Sequence, residues 1–252
     1  MSDIGFAPVA EQASLTQWQR VANTFTAPSK TFEDIKHGNQ TWWLPFVLMI
    51  VISYIFFAAV SYQIGWAQVA TNTAQMNPKS QQRMAQLSAD QREMSMRVSQ
   101  YAIEGSVAAS PLLILIVGAI VSGVMLGTIN FLFGGKATFP ALFSVWMFAS
   151  LPTLIKTLLG LIVLFAGMAP ESFNLANYAP TNLGAFLSPQ DVNAGLYRLA
   201  SAIDLTTIWY LILFSMGVAT VAGVKKSSGY IAVFGWWGII VVLSAGTAAI
   251  FG

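Results

Sequence analysis

Uncharged apolar runs recur along this chain, separated by polar stretches of unequal length. A bilayer core about 30 Å thick needs about 20 apolar residues in a helix. Five runs reach that length: Leu44 to Tyr62 (44–64 with its flank), Pro111 to Phe133, Phe139 to Met168, Leu205 to Val224 and Gly229 to Phe251. Irregular backbone cannot face lipid, so each run predicts a transmembrane helix. The third run has 30 residues, or about 45 Å at 1.5 Å per residue. That is too long for a straight crossing. Pro152 predicts a kink there, because proline removes a backbone donor and crowds the preceding turn.

The polar stretches carry helix signals of their own. Residues 14–25 place Leu15, Trp18, Val21 and Phe25 on one helical face. Ser14 with Gln17 reads as a capping box. Thr26-Ala-Pro-Ser then ends this helix and opens another through Phe32 and Ile35. Two short helices are expected to lie on the cytoplasmic membrane face, or to dock a partner protein. Trp42 and Trp43 suit the interface before the first span. Between Ala67 and Ser110, Asn77-Pro78 and Ser88 with Gln91 predict helix starts. A helical hairpin of 78–87 and 89–104 is expected on the extracytoplasmic side. Its Met84, Met94 and Met96 either offer an adaptable contact surface or close the hairpin's small core. From Pro170 to Ala202, turn residues and aromatics predict a loop folded back over the bundle. Ser188-Pro189-Gln-Asp191 predicts a short helix ending near Arg198.

Composition supports this pattern. Of 252 residues, 56% are apolar and 9% charged, against roughly 25% charged in an average soluble domain. The mean hydropathy is +0.64. So few charges exclude a soluble globular enzyme, and so much apolar surface excludes disorder. The fold class is all-α: a polytopic membrane protein of five transmembrane helices with an extracytoplasmic hairpin. The simplest partition is a cytoplasmic segment, 1–37, and a membrane domain, 38–252. The N-terminal segment has no signal-peptide pattern, so the first span is expected to act as the insertion signal. Arg20, Lys30, Lys36, Lys136, Lys225 and Lys226 fall on one side. That asymmetry predicts a cytoplasmic N-terminus and an extracytoplasmic C-terminus.

Little catalytic chemistry is visible. The chain has no cysteine and a single histidine, His37, which removes thiolate chemistry and Cys- or His-cluster metal sites. No HExxH, GxSxG or phosphate-cradling glycine loop occurs. No catalytic residue, metal or cofactor is expected. A net charge of +2 without basic-aromatic interleaving gives no basis for nucleic-acid binding.

Polar residues within or beside the spans remain as candidates, since each is costly unless paired. Lys156 lies about 22 Å along the third span from Ala141. Asp204 opens the fourth span and Glu104 precedes the second, at the same expected level. These three are read as a polar pocket or ion path, or as a structural Lys156–Asp204 pair; Lys156 alone could also snorkel to the headgroups. Asn130 is read as packing glue. Ala119, Gly123 and Gly127 on the second span, and Ser215, Ala219 and Gly223 on the fourth, form small-residue stripes suited to close helix packing.

Taken together, several segments have a familiar form. These are the Ala27-Pro28 helix start, the tryptophans before span one, and the Gly134-Gly135-Lys-Ala-Thr138 turn. Next come Ala141-Leu-Phe-Ser-Val-Trp-Met-Phe-Ala-Ser-Leu-Pro152 and Ile203-Asp-Leu-Thr-Thr-Ile-Trp209, with a lysine turn before span five. Over roughly residues 24–250 the chain resembles the Yip1 family of five-span membrane proteins in its bacterial form. The resemblance implies a multi-pass protein of the bacterial inner membrane with the orientation above. Eukaryotic members act in vesicle traffic with Rab-type GTPases; the DLYGP-like signature is absent here, so that role is not carried over. Some bacterial members are thought to assist ABC transporters. The leading expectation is a non-enzymatic protein in the lipid bilayer that scaffolds or assists a membrane complex, with a membrane protein partner such as an ABC transporter. The alternative is a transporter or channel for a small solute or lipid, using Lys156 and Asp204.

Overall fold

A computed structural model describes residues 14–251. Among them every regular element is helical, with one isolated bridge between Asn182 and Asp204. The N-terminal segment holds α1 (Gln17–Thr26) and α2 (Pro28–Lys36), and α3 (Trp43–Gln63) follows. Then come α4 (Trp66–Gln75), α5 (Pro78–Ala85), α6 (Ala89–Ala108) and α7 (Ser110–Gly127). The rest is α8 (Phe139–Ala149), α9 (Thr153–Phe165), α10 (Ala194–Ala202), α11 (Leu205–Ala222) and α12 (Lys226–Phe251). Among the described residues five segments are long and apolar enough to cross a membrane: Trp43–Gln63, Ser110–Leu132, Phe139–Phe165, Leu205–Ala222 and Lys226–Ile250. The second includes a π-helical turn, Thr128–Leu132, that extends α7. The third is divided into α8 and α9, with the break at residues 150–152 where Pro152 predicts it.

The core lies where α8 meets α11. Every residue from Ala141 to Ala149 is buried, as expected of a helix enclosed on all sides. Phe148 and Met147 pack there with Phe214 and Val218 in one cluster. The bundle has two ends. The proximal end carries the start of α3, the turn from 134 to 138 and the turn into α12. The distal end carries α4, α5, α6 and the loop from 166 to 204.

Small residues set the closest helix approaches, but only some of those the sequence singles out. Ser215 and Ala219 are buried, and both back onto Gly229 of α12, where a Cβ would meet the Ser215 carbonyl and lie 2.9 Å from Ala219 Cβ. Gly223 instead ends α11 in the left-handed conformation, φ +66°, which glycine adopts freely. On α7, Ala119 packs against the core. Gly123 and Gly127 have open space where a Cβ would sit, so they make no close contact within the chain. The close approach belongs to Gly118, where a Cβ would lie 2.6 Å from the Trp146 ring. The small-residue pattern is ambiguous because several faces of α7 carry it.

The N-terminal helices also depart from the expectation. The cap of α1 is Thr16 with Gln19, a reciprocal capping box, not Ser14 with Gln17. The face turned inward is the polar one, with Arg20 and Thr24 buried, while Trp18 is 64% exposed. Nor do α1 and α2 lie flat. They fold against each other and pack against α8 and α11. Phe32 is fully buried and lies where a Gly217 Cβ would meet it, 3.0 Å away. The tip reaches further, with Phe25 edge-on to Trp209 at 5.7 Å. Trp209 lies about 20 Å along α11 from its proximal end at 1.5 Å per residue. The two helices therefore form a re-entrant hairpin. An apolar face serves such a hairpin on its lipid side, which is why the sense of the amphipathic pattern inverts.

At the distal end α5 and α6 start at Asn77 and Ser88, whose side chains cap them as the sequence predicts. α6 runs on to Ala108, and α4 is an additional helix. Met94 is exposed, whereas Met84 and Met96 are half-buried. The short helix before span four begins at Ala194, capped by Asn193, and ends at Ala202. It starts later than Ser188–Asp191 suggests.

Candidate polar site at the distal end

Asp204 is the cap of α11. Its Oδ1 accepts from the Thr206 N–H at 2.9 Å, the Thr206 hydroxyl at 2.6 Å and the Thr207 N–H at 3.1 Å. This answers unpaired amides at a helix start with a negative charge, which the helix dipole also favours. Its Oδ2 accepts from the Thr181 hydroxyl at 2.6 Å and from Lys156 Nζ at 3.0 Å. Thr181 comes from the distal loop, which runs beside residues 203–205. The Leu183 N–H donates to the Ile203 carbonyl, and the Leu205 N–H to that of Thr181. One carboxylate thus ties α9, α11 and the loop together.

Burial pushes the Asp204 carboxyl up, but the donors from Thr181, Thr206, Thr207 and Lys156 outweigh it and hold the group down at about 2. A carboxyl so low takes no proton at neutral pH, which suits a fixed anion and not a general base. The pair is unevenly enclosed, since the Asp204 side chain is 2% exposed and that of Lys156 20%. The Lys156 ammonium also sits 5.6 Å from the Tyr178 ring centre, within cation–π range. Tyr178 packs on Phe56 at 4.5 Å. The aromatic lid over the pair therefore comes from the folded-back loop.

Of the three residues the sequence places at this level, Lys156 and Asp204 meet. Glu104 accepts instead from Gln100 on its own helix at 2.8 Å. Asn130 grips the turn before α8: its amide donates to the Ala137 carbonyl and its oxygen accepts from the Ala137 N–H, both at 2.9 Å. No group of three or more His, Cys, Asp or Glu that could hold a metal occurs among the described residues.

A second ionic knot went unread in the sequence. Arg20 is fully buried. Its Nη1 donates to the Thr41 carbonyl at 2.8 Å and to Asn39 Oδ1 at 3.2 Å, and its Nη2 to the Ser144 hydroxyl at 3.4 Å. Asp34 Oδ2 lies 3.4 Å from Nε, and the guanidinium stacks over Phe148 at 4.3 Å. Burial lowers the Arg20 pKa to about 10 while Asp34 works to raise it, so the cation persists at neutral pH. A buried polar side chain of α4 does similar work distally: Asn72 donates to the Pro170 and Phe173 carbonyls at 2.8 and 2.9 Å. Both residues sit in polar segments, where hydropathy gives no sign that a polar group is buried.

No solved structure matches the chain. Among curated proteins it is similar to the membrane protein YknW of Bacillus subtilis (strain 168), with 26% identity over 233 residues, covering 91% of this chain and 90% of that one. The model of the Yip1 domain matches residues 22–247, from α1 to the last turns of α12. The chain is therefore a membrane protein that belongs to the Yip1 domain family.

Proposed function

We propose that this protein is a non-enzymatic scaffold of the bacterial inner membrane that holds or assists a partner membrane complex, with an ABC transporter as one candidate partner. The observation that carries this reading is the state of α6. None of its described residues is buried. Met94, Val98 and Tyr101 stand exposed along one side, at the spacing of one helical face. Leu112, Ile116 and Ile120 follow at four-residue steps on α7, also exposed. An apolar stripe that runs from a spanning helix onto its polar extension suits a neighbouring membrane protein better than lipid alone. Arg20, Lys156 and Asp204 are occupied by structural partners, which fits a structural role for them.

The test is purification of the tagged chain from its own membranes in mild detergent, with mass spectrometry of what accompanies it. The expected result is a stoichiometric membrane partner that is lost from a Val98→Glu, Tyr101→Glu variant of normal stability. A lone species from the unaltered chain overturns the proposal.

A second reading, a transporter for a small solute or lipid, is favoured by one observation. Lys156 keeps one-fifth of its side chain exposed just beyond the break in span three, and broken helices recur at transport sites. The pair Lys156→Met, Asp204→Asn separates the two. Flux lost with assembly intact supports transport; assembly lost supports a structural pair.

A further inference from the structure

A cleft of about 690 Å³ opens on the membrane side of the bundle between α3, α7 and α9. That volume is in the range of small-molecule sites, about 300–1,000 Å³. Its wall on α6 and α7 runs from Ser106 to Val121, about 22 Å at 1.5 Å per residue. A groove of that length, open along one side, has room for an extended chain molecule.

Its lining is graded. The proximal half presents Met49, Val117, Val121 and the Trp146 ring. The distal half presents the hydroxyls of Ser106, Ser110, Thr157 and Tyr178, with Ser53 and Ser150 between. The Thr157 and Tyr178 hydroxyls lie 3.5 Å apart, and Ser150 and Ser106 donate to backbone carbonyls at 2.8 and 2.7 Å. Each such hydroxyl keeps lone pairs for an incoming donor. Ser110 Oγ is buried with no hydrogen-bond partner, an arrangement that normally has a reason. Among the described residues no Lys, Arg, Asp or Glu lines the cleft, and Lys156, next to Thr157 in sequence, is held by Asp204.

We infer that this cleft binds one neutral glycerolipid, of the diacylglycerol class. Its hydroxyl meets the accepting lone pairs of the distal serines, its ester carbonyls accept from Ser110 and from the free proton of the Thr157–Tyr178 pair, and its chains run down past Trp146. An uncharged lining favours a head without phosphate, because a buried anion needs a cation or several donors.

The probe is a photoreactive diacylglycerol in phosphatidylcholine vesicles holding the full-length protein, with adducts mapped by mass spectrometry. Labelling should concentrate on α7 near Val117 and on α9 near Thr157. Unlabelled diacylglycerol should compete better than phosphatidylglycerol. A Val117→Trp variant, and independently Val121→Phe, should fill the cleft and cut labelling roughly tenfold with an unchanged melting temperature. Labelling spread evenly over the lipid-facing helices, or unaffected by both variants, marks ordinary surrounding lipid and overturns the inference. Equal competition by phosphatidylglycerol overturns the neutral head. Cross-links from these positions to another polypeptide show a protein occupant instead, with the same consequence.

Discussion

Single residues decide which charges this bundle can hold. Asp204 has five donors around it and Lys156 has one carboxylate, so the two substitutions are unequal. Asp204→Asn keeps a capping oxygen for α11 but removes the charge and strands the lysine; it should cost about 2–3 kcal/mol. Lys156→Met leaves Asp204 its threonine donors and should cost less. The double variant should recover part of the sum, read as coupling in a double-mutant cycle of thermal melts. The pH dependence has a definite sign. The Asp204 carboxyl is held at about 2, below its ordinary 3.8, so its contribution is complete above 3.8 and lost as pH falls through 2. Melting temperatures from pH 5 to 8 should therefore not change on its account, and the wild type should lose its advantage over Asp204→Asn between pH 4 and pH 2. Arg20→Met should cost about 3 kcal/mol. Arg20→Lys should not restore it, because a lysine cannot serve Asn39, Thr41 and Ser144 from one planar fork; detergent-phase unfolding of both variants checks this. The Lys156–Asp204 pair could be read from the sequence because charges beside apolar runs stand out and need partners. Arg20 could not, because its neighbours in sequence are polar and its partners lie as far away as Ser144.

Whole elements show which patterns a membrane leaves readable. The spans follow from apolar length alone, and the break in the third from Pro152. The caps at Asn77 and Ser88 are local chemistry and were equally plain. Facing is harder. In water an apolar stripe points inward, whereas beside lipid both sides of a helix are apolar and the stripe says little about packing. That is why α1 turns Arg20 inward and Trp18 outward, and why Gly118 and not Gly123 or Gly127 meets the next helix. The expected consequence is a contrast along α7. Gly118→Val should force the Trp146 ring aside and cost about 1–3 kcal/mol. Gly123→Ala and Gly127→Ala should leave the melting temperature of the isolated chain nearly unchanged. If those two substitutions weaken association with a co-purifying partner, the open stripe is the partner's seat.

At the scale of the molecule, the bundle is fastened at both ends, by Arg20 proximally and by Asp204 distally. The proposed orientation, with the proximal end in the cytoplasm, can be tested directly because the chain has no native cysteine. A single Ser227→Cys should be shielded from an impermeant maleimide in intact cells, and Gln81→Cys should react. The reverse result inverts the protein. The re-entrant hairpin also bears on how the molecule is made. Its helices are synthesised first, yet the helices they pack against, α8 and α11, belong to the third and fourth of five spans. About 185 residues separate the end of α2 from the end of α11, roughly 10–40 s at 5–20 residues per second. Until α8 is made, Arg20 and Asp34 have each other but not Ser144 or Phe148. The nascent hairpin must wait at the membrane surface, with its polar face in water, and enter only when the fourth span arrives. Biogenesis therefore runs against the order of the chain, and a ribosome stalled before residue 205 should leave the first helices open to protease.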